Sequence, residues 1–151
     1  MNGREDKREN DLFFVCSVIE YIGRKTKNRR ADVALALGIH EITRLLELAD
    51  VLHCEPVEKN AADALARRPI AQGGFDNVAA CKYAIPTHFD MAKVYKRLIV
   101  SVADAQNIPL PDALIQVYTS WISGKIDDYN SSMYYESPQY LSASYAAGEP
   151  L

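Results

Sequence analysis

The stretch THFDMAKVYKRLIVSVADAQ, residues 87–106, decides the fold class. Met91, Val94, Tyr95, Leu98, Ile99 and Val102 recur at the three- and four-residue spacing of one helix face. Ahead of them, Thr87-x-x-Asp90 has capping-box spacing, with aspartate standing where glutamate is usual. Downstream, after the rigid joint Ile108-Pro109-Leu110-Pro111, residues 111–126 carry Leu114, Val117, Tyr118, Trp121, Ile122 and Ile126, the cleanest helical period in the chain.

Working back towards the start, residues 11–27 repeat the pattern with Leu12, Val15, Cys16, Ile19 and Ile22, widened by Phe14, Val18 and Tyr21. Asn10 or Asp11 is the expected N-cap, and Arg24, Lys25, Lys27, Arg29 and Arg30 crowd the far end, where cations suit the helix dipole. A short helical run over 30–37 closes at Gly38. A second helix, about 40–53, buries Ile42, Leu45, Leu46, Ala49 and Leu52. Pro56 opens a weaker helix to about 67, with Val57, Ala61 and Leu65 on its apolar face. Residues 69–86 are irregular, punctuated by Pro69 and Gly73-Gly74. Ser137-Pro138 starts a last helix over about 138–146. No run alternates as a half-buried strand would. The reading is an all-α, compact single-domain bundle of about six to seven helices. It has a polar N-terminal extension (1–10), a helical core (11–128) and a tyrosine-rich acidic C-terminal segment (129–151) packed on the core or on a partner.

Composition agrees with a globular domain. The 151 residues are 48% hydrophobic and 25% charged, which excludes collagen-like and wholly disordered classes. A chain of this length buries roughly 70% of its unfolded surface without covalent staples. Cys16, Cys54 and Cys81 are scattered and odd in number, so neither a disulfide framework nor a zinc module is expected. Residues 1–11 are polar, unlike a secretory leader, and no window is apolar over the ~18 residues a membrane span needs. Free thiols fit a reducing compartment, so a cytoplasmic protein is expected, with no membrane association.

No motif names a reaction. Cys81, His88 and Asp90 lie close in sequence, but their spacing matches no nucleophile motif. Asp50, His53 and Cys54, like His40-Glu41, fall short of the four ligands of a structural zinc site. Phosphate-cradling glycine motifs are absent, so no cofactor is expected. The helices around Gly38 resemble a helix-turn-helix in outline, yet the second carries Glu41, Glu47 and Asp50, which repel phosphates. A net charge of −3 also suits nucleic acid poorly.

Charge and tyrosine are both unevenly spread. Residues 1–30 hold eight basic and five acidic side chains, while residues 99–151 hold one basic and six acidic. Tyr129, Tyr134, Tyr135, Tyr140 and Tyr145 fall in that acidic third beside Asp127, Asp128 and Glu136. Tyrosine offers a large contact area with a polar tip and serves interfaces and interiors equally.

Four stretches carry a resemblance that covers most of the chain: DLFFVCSVIEYIGRKTKNRR (11–30), ELADVLHCEPVEK (47–59), FDNVAACKYAIPTHFDMAKVYKRLI (75–99) and KIDDYNSSMYYESP (125–138). Together they resemble a group of short, uncharacterised bacterial proteins encoded beside ADP-ribosyltransferase-like toxins. The resemblance implies a protein-binding antitoxin or immunity-type inhibitor and carries no catalytic motif. The expected surface for the toxin partner comprises Arg24, Arg29 and Arg30 from the basic helix end. Asp127, Asp128, Tyr129, Tyr134, Tyr135 and Tyr140 supply the rest of it. An enzyme with an unlisted helical active site and a DNA-binding autoregulator are the alternatives.

Overall fold

A computed structural model describes residues 3–151. Among the described residues there are nine α-helices and no strand. They are α1 (Gly3–Thr26), α2 (Arg30–Glu47), α3 (Ala49–Leu52), α4 (Val57–Arg67), α5 (Asn77–Ala80), α6 (His88–Gln106), α7 (Leu110–Tyr118), α8 (Trp121–Ile126) and α9 (Pro138–Ala147), with a 3-10 turn at Met133–Tyr135 before the last.

The α1–α6 pair forms the spine. α2 packs on α1 and α7, α7 on α6, α4 on α1, and α9 on α6. Each interface is made by the stripes the periodicity marks. Leu12, Val15, Cys16, Ile19 and Ile22 of α1 are fully buried, as are Met91, Tyr95 and Ile99 of α6, with Leu98 all but buried. Each large apolar side chain so buried contributes roughly 1.5–3 kcal/mol relative to exposure.

Helix ends follow local chemistry. At α6 the capping box closes both ways: the Asp90 amide donates to Thr87 Oγ1 (3.0 Å) and the Thr87 amide to Asp90 Oδ2 (2.9 Å). Aspartate therefore performs glutamate's part here. Inside α2, Gly38 takes φ 78° and bends the helix where the sequence marks a stop and restart. α1 ends with Lys27 at φ 56°, and the Asn28 amide reaches back to the Gly23 carbonyl at 3.1 Å. This is the six-to-one bond of a Schellman stop, with lysine in the place glycine usually takes.

Several boundaries differ from the sequence reading: the expected helix over 40–53 breaks at Leu48 into the end of α2 and the short α3, the irregular stretch 69–86 holds the short α5, and two further differences bear on the packing. α1 begins at Gly3, so residues 3–10 continue the helix and the Asn10/Asp11 cap is not used. Charged pairs hold this part: Lys7 to Asp11 at 2.8 Å, Arg8 to Asp104 at 3.1 Å and Lys96 to Glu9 at 3.7 Å. Apolar periodicity reports only the buried portion of a helix, and extending an existing helix needs no new nucleus. The expected single helix over 111–126 is two, because Thr119 Oγ1 donates to the Ile115 carbonyl (2.6 Å) and Ser120 Oγ to that of Val117 (2.7 Å). Hydroxyls bonded to nearby carbonyls compete with the helical ladder, and Ser120 turns to extended backbone.

Candidate functional site

Inside the bundle lies a knot of polar groups drawn from six elements. Arg30, at the first turn of α2, is fully buried with its Nε 3.3 Å from Glu20 Oε1 of α1. Its Nη1 donates to the Asn28 carbonyl at 2.9 Å and its Nη2 approaches Asn77 Oδ1 of α5 at 3.4 Å. Tyr118 of α7 donates to Glu20 Oε2 at 3.0 Å. Tyr95 of α6 stacks on Tyr118, centroids 4.0 Å apart, and donates to Asp127 Oδ1 at 2.6 Å while pairing with Ser123 Oγ of α8 at 2.8 Å. The Asp127 carbonyl accepts from Asn77 Nδ2 at 3.0 Å, which ties the end of α8 to α5, and the Arg30 guanidinium lies near enough to pull the Asp127 carboxyl down against its burial.

Gly23 makes room for this. A Cβ there would run into Arg30 Cδ and Nε, so the arginine stem lies directly on the α1 backbone. Burial pushes the Glu20 carboxyl up to about 7 against the pull of Arg30, and burial raises Asp127 as well. Two acids facing one guanidinium leave an excess negative charge, and proton uptake by the pair relieves it. Burial also holds the Tyr95 and Tyr118 hydroxyls neutral, far above their ordinary range. Cys16 is buried beside Tyr118, and burial pushes its thiol well up; Cys54 is exposed and Cys81 half-buried.

Three of the expected partner residues thus belong to the interior. Arg30, Asp127 and Tyr129 are 0%, 3% and 2% exposed and present no surface for docking. Arg24 is half-buried and turns inward, its guanidinium donating to the Pro86 carbonyl and to Tyr129 Oη (3.2 Å) and lying 5.5 Å from the Tyr129 ring centre. Basic residues at a helix end read as solvated, but the partners that draw these inward come from residues 77, 86, 127 and 129, remote in sequence. Tyr140 is half-buried and turned to its own segment, donating to the Leu151 carbonyl at 2.9 Å.

The others gather on the surface over the knot. Arg29, exposed, lies 4.8 Å over the Phe75 ring, and a groove of about 390 Å³ runs from this pair past Asp128 to Asn130. Asn130 and Tyr129 also line the next hollow, about 320 Å³, walled by Tyr83, Tyr134 and Tyr135. Tyr83 and Tyr135 are each 68% exposed, and Ile85, on the same loop as Tyr83, is exposed as well. Tyr134 is set edge-on to both Tyr129 (5.8 Å) and Tyr135 (5.0 Å).

Asn130 braces the surface. Its Oδ1 accepts from the Lys82 amide at 2.8 Å, its Nδ2 donates to the Ala80 carbonyl at 3.0 Å, and its amide donates to Asp128 Oδ1 at 3.0 Å. The two tyrosine-bearing loops are thereby stapled together. Tyr83 and Asn130 escaped the sequence reading. A tyrosine just before Ile85-Pro86, where the residues leading into a proline favour extended backbone, was the available signal for the first; nothing local marks the second.

The grouping of Cys81, His88 and Asp90 does not assemble. Cys81 Sγ turns to the Tyr83 carbonyl (3.4 Å), His88 packs between Tyr21 and Phe89, and Asp90 is committed to its cap. His53 Nδ1 meets the Ala49 carbonyl at 2.8 Å, while Asp50 pairs with Lys7. Among the described residues no three His, Cys, Asp or Glu side chains converge as metal ligands, and no helix is long and apolar enough to cross a membrane. Glu41, on the would-be recognition helix, is held by Arg67 through bonds of 2.8–3.1 Å. Comparison with family models, curated proteins and solved structures gives no match.

Proposed function

We propose that this protein is a protein-binding module that neutralises a co-encoded toxin, of the ADP-ribosyltransferase type, by covering its active cleft. The observation that carries this reading is the braced aromatic surface, on which Tyr83 and Tyr135 stand two-thirds exposed around a hollow whose loops Asn130 ties together. Rigid, exposed tyrosines lose little conformational freedom on docking, and tyrosine is an enriched anchor of interfaces. Acidic Asp128 and Glu136 flank them, in a C-terminal third with a single basic residue. Such a surface complements a basic cleft, and charge of this kind speeds encounter more than it tightens the complex. The resemblance described above supplies the class of partner.

Mixing the purified protein with the toxin encoded beside it, and measuring affinity by calorimetry, tests the reading. A Tyr83→Ala/Tyr135→Ala double variant is expected to bind about a hundredfold or more weaker, as the loss of two interface anchors implies, with its helical circular dichroism unchanged. Wild-type affinity in the folded double variant, or no complex with the wild-type chain, overturns it.

A further inference from the structure

A larger cavity, of about 720 Å³, opens between the first half of α1, the α3–α4 connection and the start of α6, and shares no lining residue with the tyrosine surface. Its floor is apolar, made by Phe13, Phe14, Ala49 and Val57. Phe89, 47% exposed, continues one wall: its ring lies 6.0 Å from that of Phe13, within 25° of parallel. Two carboxylates, Asp11 and Asp50, stand at the lining beside one ammonium, that of Lys7, while Glu55, also at the lining, is paired with Lys59 at 3.1 Å.

The position of Lys7 indicates what the mouth recognises. Its Nζ bridges Asp11 Oδ2 at 2.8 Å and Asp50 Oδ2 at 3.0 Å, joining carboxylates from two helices. The hydrogen bonds it donates to these two acids raise its pKa, so the charged ammonium is the form held there. The bridge is nevertheless an open one, with the side chains of Lys7 and Asp50 52% and 67% exposed. Pairs so exposed contribute little to stability, so an incoming cation exchanges with Lys7 at little cost. A ligand bearing both an ammonium and an apolar body gains what Lys7 cannot: contact with the aromatic walls and burial of its body on the floor.

We propose that this cavity binds a small organic cation, a primary ammonium on an aromatic or branched aliphatic body, with the charge between Asp11 and Asp50 and the body on Phe13, Phe14 and Val57. The proposal does not depend on the partner reading above.

The test is a titration of the full-length ¹⁵N-labelled protein with 4-phenylbutylammonium, run beside 4-phenylbutanol and 4-phenylbutanoate. Saturable amide shifts at 11–17, 49–57 and 89 are expected, with a dissociation constant on the order of 0.1 mM, and about tenfold weaker binding of the alcohol and acid. Lys7→Met, which removes the resident ammonium, is expected to tighten binding about threefold or more, and Asp50→Asn to weaken it about tenfold. Both changes lie on the exposed surface, and each variant's fold is checked by its own spectrum. Absence of saturable shifts in both the wild type and Lys7→Met overturns the proposal. Equal affinity for the alcohol, or an Asp50→Asn variant that binds as the wild type does, also overturns it.

Discussion

The short stretch 127–135 feeds two regions of opposite character. Asp127 and Tyr129 point inward to the knot around Arg30, while Tyr134 and Tyr135 stand at the surface. In the knot every charge is out of water and lies beside a partner drawn from another element, so its value is set by whether the partners stay. On the surface the rings touch each other and solvent, and their contribution to folding is small. Residue type alone does not separate the two regions, since both are built from tyrosine and acid; what separates them is the reach of the partners.

The comparison breaks most sharply at Arg30. Arg30→Met leaves Glu20 and Asp127 without their counter-charge and is expected to cost about 3–5 kcal/mol in urea unfolding, with much of the loss recovered by adding Glu20→Leu. A cost below that of an ordinary surface change would mean that the knot does not hold the fold. Next in size is a pH effect. Because the Glu20 carboxyl sits at about 7 when folded and near 4.5 when unfolded, the folded state binds its proton more tightly. This contribution is fully present below about pH 4.5 and is lost, on the order of 3 kcal/mol of it, as pH rises through about 7, with Asp127 adding in the same direction. His88, whose pKa burial lowers, contributes the opposite slope below its ordinary value. Glu20→Gln keeps His88, so the difference between its unfolding curve and that of the wild type isolates the Glu20 slope; coincident pH profiles would refute it.

Smaller again is Gly23→Ala, which forces a methyl against the Arg30 stem and is expected to destabilise by about 1–3 kcal/mol. Gly124→Ala, at a helical glycine with open space around it, serves as the control and is expected to be neutral or slightly stabilising. At the bottom of the scale, Tyr135→Ala is expected to shift stability within about 0.5 kcal/mol, so that its whole effect is reserved for the partner. A larger loss in thermal unfolding would place Tyr135 with the interior.

Much of the fold was legible because helices announce the faces they bury. The stripes of α1, α6 and α7, the bend at Gly38, and the start at Thr87 all rest on spacings of seven residues or fewer. The knot was not legible, for the reason that makes it effective. Arg30 closes a basic run and reads as solvated, yet its place depends on Glu20 and Gly23 across the α1–α2 turn and on Asn77 beyond α3 and α4. Glu20 is an acid inside an otherwise apolar face, and that anomaly was the one local signal pointing inward. Asp127 reads as half of an acidic pair, but only Asp128 reaches the surface, because Asp127 is drawn in by the Tyr95 hydroxyl and the Asn77 amide.

The three thiols sit at three depths, which equips the chain with its own opening clock. An electrophile such as iodoacetamide meets Cys54 at once and Cys81 after a local fluctuation. Cys16, wedged beside Tyr118 with its proton firmly held, is alkylated only when α1 parts from the helices packed around it. Mass spectrometry of the third adduct therefore times disassembly of the interior knot in the unmodified wild-type chain.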